Sequence, residues 1–136
     1  MAAEAFLADT SAFHRLDGIP AIARNWEDQL RAGLVSVCPV TEIEIFYSAR
    51  SSRDYERVSA RLREVFGWVP VPERAFQRAL EVQEAMLAQG THRSAGLADL
   101  LLAATAEEYR LTVLHDDKDF DCIAAVTGQP VRRVLD

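Results

Sequence analysis

Five short apolar runs, at residues 5–8, 35–38, 68–71, 112–115 and 131–134, punctuate this chain, and all but the last lead into a segment of helical character. That alternation constrains the fold more than any other feature. Short buried strands separated by helices assemble into a parallel sheet with helices on both faces. The expected architecture is therefore an α/β three-layer sandwich around a central, mostly parallel sheet of four to five strands. At 136 residues the chain fits one domain, 1–136. Helices are expected from Thr10–Ser11 as N-cap through Leu16, from Pro20 to Arg31 with Gly33 as terminator, from Thr41, over 52–66, over 73–87, over 97–109 and over 120–126. Pro70 places the third strand at a sheet edge.

In sheets of this kind chemistry collects at the carboxyl ends of the strands, and the acidic residues fall there. Asp9 directly follows the first strand, either as a functional carboxylate or as a helix cap. Glu44 lies just after the second strand, where Thr41 and Glu44 also match a capping box; Glu42 can serve as a first-turn acid. Asp99 sits in a helix apolar nearly all round, where an unpaired carboxylate is expensive and must face a cation or a polar cleft. Asp117 and Asp119 follow the fourth strand. Gathered at one edge, such carboxylates repel one another unless a cation intervenes. Oxygen-only donors suit Mg²⁺, with Mn²⁺ as substitute, because His14, His92 and His115 share no metal-ligand spacing. A carboxylate-bound Mg²⁺ is suited to phosphodiester cleavage, since it acidifies water and offsets phosphoryl charge.

Composition excludes several classes. No apolar run approaches the ~20 residues of a membrane span, and the N-terminus lacks the basic start of a signal peptide, so a cytoplasmic protein is expected. Cys38 and Cys122 make neither a disulfide framework nor a metal site. The net charge of −6 argues against a protein that coats nucleic acid. A local basic strip remains compatible with it: Arg50, Arg53, Arg57 and Arg61 recur at helical spacing, alternatively as a solvated face paired with Asp54 and Glu56. His92 and Arg93, just before the Asp99 helix, are further candidates for phosphate contact.

With these motifs in place the sequence resembles the PIN-domain family, and within it the VapC toxins of VapBC modules. Phe6-Leu-Ala-Asp-Thr-Ser-Ala-Phe13 resembles the first motif, Val40-Thr-Glu-Ile-Glu-Ile-Phe-Tyr-Ser-Ala49 the second, Leu97-Ala-Asp-Leu-Leu-Leu-Ala-Ala-Thr-Ala106 the third and Thr112-Val-Leu-His-Asp-Asp-Lys-Asp-Phe120 the fourth. Counting back from Ser48 assigns the second acid to Glu44. The chain departs from the pattern at His115, where Thr or Ser is frequent, at Ser48 in place of a common Gly, and at the extra Asp116. The resemblance implies a metal-dependent endoribonuclease in which Asp9, Asp99 and Asp117 hold metal. Glu44 is then a ligand or orients water, Asp119 is a second-metal or outer candidate, and Ser11 bonds a carboxylate. It also implies a toxin that forms a homodimer and is inhibited by a VapB-like antitoxin, with Phe13, Leu16, Ile22 and Trp26 as a docking groove or, alternatively, as ordinary core packing. Alternatives are a haloacid-dehalogenase-like phosphatase, which needs a second Asp where Ser11 stands, a phosphoacceptor receiver module, and a PIN-fold RNA-binding protein without catalysis.

Overall fold

The computed structural model describes residues 3–136. Its sheet is formed by β1 (Phe6–Ala8), β2 (Val35–Val37), β3 (Gly67–Trp68), β4 (Thr112–His115) and β5 (Val131–Arg133), in the order β3-β2-β1-β4-β5. Every pairing is parallel, with Phe6 opposite both Val35 and Thr112. The helices are α1 (Thr10–Gly18), α2 (Pro20–Asn25), α3 (Glu27–Arg31), α4 (Pro39–Tyr47), α5 (Ser52–Val65), α6 (Ala75–Ala88), α7 (Leu97–Glu108) and α8 (Asp119–Thr127).

Alternation along the strands builds the layers, because successive side chains point to opposite faces. Leu7 and Val113 face α6, α7 and α8 and pack with Met86, Leu102 and Ile123. Phe6, Ala8, Val35 and Leu114 face the opposite way, against Phe13 and Leu16 of α1 and Val58 and Leu62 of α5. The three-layer α/β/α expectation is met. Among the described residues no helix is long and apolar enough to cross a membrane.

Several local expectations are corrected. The helix over 20–31 breaks at Trp26, whose buried indole packs edge-on to Phe6 at 5.0 Å and donates Nε1–H to the Val134 carbonyl at 2.8 Å. The third strand begins at Gly67 rather than Trp68 and ends before Pro70. A Cβ at Gly67 would meet Ser36 Oγ at 2.6 Å, so glycine lets the two strands approach without turning the Ser36 hydroxyl aside. Pro70 carries no N–H to extend the ladder. Phe13, Leu16 and Trp26 are buried core residues and Ile22 packs beside them, so they do not form the open docking groove expected for an antitoxin. The cap of α1 is Asp9 rather than Thr10 or Ser11, and α4 begins at Pro39, two residues before Thr41.

Candidate active site

Strands β1, β2 and β4 run parallel, so Asp9, the start of α4 and the 116–119 turn all emerge at the same edge of the sheet. Helix α7 returns toward the start of β4, which brings its first turn, and Asp99, to that edge as well. The edge is where the sequence placed its acids.

Asp9 extends the β1 ladder by one bond, its N–H donating to the Leu114 carbonyl at 3.0 Å. Its side chain then turns inward and is only 7% exposed. Oδ1 accepts the Ala12 N–H at 2.8 Å and the Ser11 hydroxyl at 2.7 Å. Capping and burial thus coexist in one residue. Burial pushes the Asp9 carboxyl up to about 6; the Ala12 and Ser11 bonds oppose the rise, and the charges of Asp99 and Asp117 add to it. The Ser11 hydroxyl, the group standing where a haloacid-type phosphatase needs its second Asp, also accepts the Asp116 N–H at 2.9 Å.

The capping box expected of Thr41 and Glu44 is absent, since α4 starts with Pro39 at its first turn. Thr41 is buried and donates instead to the Ala8 carbonyl at 3.0 Å, tying α4 to the end of β1. Glu44 is thereby freed, and its Oε1 accepts the Thr10 hydroxyl at 2.7 Å across 34 residues of sequence. Glu42 faces elsewhere and accepts the Trp68 indole N–H. The two glutamates therefore take different partners, Glu44 one in α1 and Glu42 one in β3.

Asp99 is less buried than its apolar helix suggested. It lies in the first turn of α7, beside the 72%-exposed Leu97, and Oδ2 accepts the Gly96 N–H at 3.3 Å. Its carboxyl is raised by desolvation first, countered by the Gly96 bond, then by the charges of Asp117, Glu44 and Asp119. No Arg pairs with it: among the described residues none of Asp9, Glu44, Asp99, Asp117 and Asp119 enters an ion pair. Asp117 Oδ1 accepts the Asp119 N–H at 3.0 Å. Asp116, which had no assigned role, points away and is clasped by Arg15 at 2.7 Å and Arg133 at 2.8 Å. Those two guanidinium groups hold its carboxyl below the usual range.

One pattern unites the acids. Glu44, Asp99 and Asp117 each spend one oxygen on a bond to the protein, and the second makes none among the described residues. Asp9 follows the same scheme, with Oδ2 only sharing the Ser11 hydroxyl at 2.9 Å. Such bonds fix orientation and leave a lone pair for an incoming cation. Among the described residues no three His, Cys, Asp or Glu side chains are already drawn to ligating spacing. The donor set nevertheless fits a hard divalent ion, being all carboxylate, mutually repelling and free of arginine.

The basic candidates lie around this edge rather than in it. Arg57 is tied to Asp17 and Asp54, and Arg61 to Asp17, so the salt-bridged face forms with Asp17 and Asp54 and not with Glu56. The guanidinium of Arg50 enters no ion pair among the described residues, and Arg53 is exposed. A cleft of about 430 Å³ between α1, α4 and α5 is lined by His14, Ser48, Arg50 and Arg57. His14 lies one helical turn from Thr10, and Ser48 one turn from Glu44, so the cleft continues from the acidic edge. His92 and Arg93 occupy a short 3-10 turn, His92–Ser94, ahead of α7, and neither bonds to any of the acids. Thr10, Thr41 and His115 were not singled out for the contacts they make; their partners are distant or depend on turn geometry, which spacing does not reveal.

The PIN-domain profile matches residues 6–126. Ribonuclease VapC21 of Mycobacterium tuberculosis is 38% identical over 130 residues, which is 96% of this chain and 94% of its own length. Ribonuclease VapC51 of the same organism is 40% identical over 130 residues, 96% and 93% of the two chains. In fold, a chain of the DNA-bound VapBC of Salmonella typhimurium superposes with a TM-score of 0.79 over 97% of this chain and 99% of that one, at 16% identity. The parallel sheet, the four acidic motifs in order along its carboxyl edge and these near-complete matches place the chain in the PIN-domain family.

Proposed function

We propose that this chain is a metal-dependent endoribonuclease that hydrolyses RNA phosphodiester bonds, acting as the toxin of a toxin–antitoxin pair. The observation that carries the reading is the convergence of five carboxylates without a cationic partner among the described residues, one of them, Asp9, deeply buried. The names of the relatives, Ribonuclease VapC, support RNA as the substrate. The similarity to VapBC toxin–antitoxin structures supports a VapB-like antitoxin as the inhibiting partner, and the resemblance to VapC toxins carries the expectation of a homodimer.

Asp99 and Asp117 would hold Mg²⁺, or Mn²⁺ in its place, through their unbonded oxygens and Asp9 through Oδ2, which only shares the Ser11 hydroxyl, with Glu44 and Asp119 as further donors. When bound, the ion supplies Lewis acidity for hydrolysis, activating water and offsetting charge on the phosphoryl group. Glu44 is held by Thr10 at Oε1, which leaves Oε2 to orient the hydrolytic water and take its proton. Ser11 holds Asp9 and the Asp116 amide in one relation, keeping β1 and the 116–119 turn in register. Arg50, which lines the cleft, and the exposed Arg53 of α5 would contact the RNA backbone, with Arg57 partly neutralised by its acidic partners and His92 and Arg93 reserved for more distant phosphates. The whole chain, 1–136, works as one domain in this reading, in the cytoplasm where its RNA is found.

The test joins metal and toxicity. Millimolar Mn²⁺ should raise the melting temperature above that in EDTA by mass action. Expression without antitoxin should arrest bacterial growth for the wild type and not for equally abundant Asp99→Asn. Absence of any metal-dependent shift, together with undiminished toxicity of Asp99→Asn, sinks the reading.

A further inference from the structure

His115, at the end of β4, is fully buried yet satisfies only half of its polar capacity. Nδ1 accepts the Asp117 N–H at 3.1 Å, while Nε2 is buried without a partner among the described residues. The ring rests on Phe120, centroids 5.3 Å apart. An Nδ1 that accepts carries no hydrogen, so the neutral ring has its proton on Nε2. A buried, unbonded donor opposes stability, so packing alone does not account for a histidine here.

The bond it makes supplies the account. A side-chain acceptor on residue i bonding the N–H of residue i+2 is the arrangement of an Asx turn, which hydroxyl side chains form more weakly. His115 builds it with an imidazole nitrogen at the position where the family pattern has Thr or Ser. Asp117 repeats it at once, Oδ1 taking the Asp119 N–H. Between them the Asp116 N–H is held by Ser11, itself bonded to Asp9. Three amides of the turn are thus pinned, and the Asp117 carboxylate has one remaining free oxygen.

We propose that His115 is a positioning residue: through Nδ1 it fixes the Asp117 backbone and so aims the Asp117 carboxylate at the shared metal site with Asp9 and Asp99. The inference rests on the proposed metal site and adds the residue that orders its fourth motif. Outer contacts of this kind typically change metal affinity by roughly 10- to 100-fold.

The test compares His115→Asn, whose Oδ1 can occupy the place of Nδ1, with His115→Gln, whose amide lies one bond too far out, and with apolar His115→Leu. Mn²⁺ binding is read by calorimetry, folding by circular dichroism, and the wild-type tautomer by imidazole ¹⁵N shifts. The expected result is a proton on Nε2, Mn²⁺ affinity of the Asn variant within ~3-fold of wild type, and a loss of at least ~10-fold in whichever of the Gln and Leu variants is folded. A folded Gln or Leu variant that binds Mn²⁺ like the wild type overturns the proposal, as does a proton on Nδ1 or an Asn variant as weak as the other two. A wild type with the expected tautomer but no Mn²⁺ binding overturns the metal reading itself, and the role of the turn with it.

Discussion

Asp9→Asn offers the sharpest separation of a catalytic acid from a structural cap. The amide keeps an oxygen for the Ala12 N–H and the Ser11 hydroxyl, so the cap of α1 survives. What disappears is the charge. In the fold the Asp9 carboxyl is raised from 3.8 to about 6, a difference of about 2.2, worth about 3 kcal/mol at ~1.4 kcal/mol for each tenfold change in proton affinity. The sign follows from linkage: the fold favours the protonated acid, so its contribution is complete below pH 3.8 and lost as pH rises through about 6. Without metal, the wild type therefore carries a penalty of about 3 kcal/mol at pH 7.5 that the variant lacks. On a domain of this size that is roughly 10 °C in melting temperature. Urea denaturation in EDTA should show the two proteins equal near pH 4, with Asp9→Asn progressively more stable toward pH 7.5. Mn²⁺ should stabilise the wild type and leave the variant nearly unmoved. A variant less stable than the wild type at pH 7.5 in EDTA would refute the reasoning, because it would mean that the fold uses the charge.

Glu44→Gln should remain within about 1 kcal/mol of wild-type stability, since its amide oxygen can accept the Thr10 hydroxyl. Its single-turnover RNA cleavage should fall by ~100-fold or more, while Glu42→Gln stays near wild type; the reverse order would show that the second motif is misassigned. Arg50→Ala in an Asp99→Asn background with Mn²⁺ should weaken binding to single-stranded RNA and lower the slope of log K against log salt by about 1. Arg57→Ala should change that slope less, because Asp17 and Asp54 already neutralise it; equal effects would count against the cleft as the RNA path.

The fold was legible because the strands announce themselves twice, as apolar runs and as the points where acids begin. β4 matches its expected residues, and Gly33, the expected terminator, follows α3 in the left-handed conformation that favours glycine. What the sequence hid were competitions decided by tertiary partners. Thr41 looks like an N-cap, yet Pro39 is a better first helical residue, and the Thr41 hydroxyl finds the Ala8 carbonyl instead. Trp26 has helical spacing, yet its indole gains more from Phe6 and the Val134 carbonyl than the chain gains from an unbroken helix. Asp99 looked buried because its neighbours are apolar, but Leu97 is turned outward and the first turn of α7 leaves polar room. The acids themselves were found from position and resemblance; how each is anchored depends on Thr10, Ser11, Gly96 and Asp119, contacts that no periodicity encodes.

Those anchors dissolve an opposition that the sequence alone sets up. Capping a helix and holding a cation look like rival explanations for Asp9, and a local turn and a ligand like rivals for Asp117. A carboxylate has two oxygens: at Asp117, Glu44 and Asp99 one is bonded internally while the other makes no bond among the described residues, and at Asp9 Oδ1 takes the cap while Oδ2 only shares the Ser11 hydroxyl. An unanchored side chain would lose rotamer freedom on meeting a cation; an anchored one has lost it during folding. The internal bonds lower both carboxyls, Ala12 and Ser11 acting on Asp9 and Gly96 on Asp99, but burial is the largest cause at each and both stay raised, with the neighbouring acids adding to the rise. A divalent ion relieves that cost of burial together with the repulsion, so the arrangement that destabilises the metal-free edge is the same one that makes the edge selective for a cation.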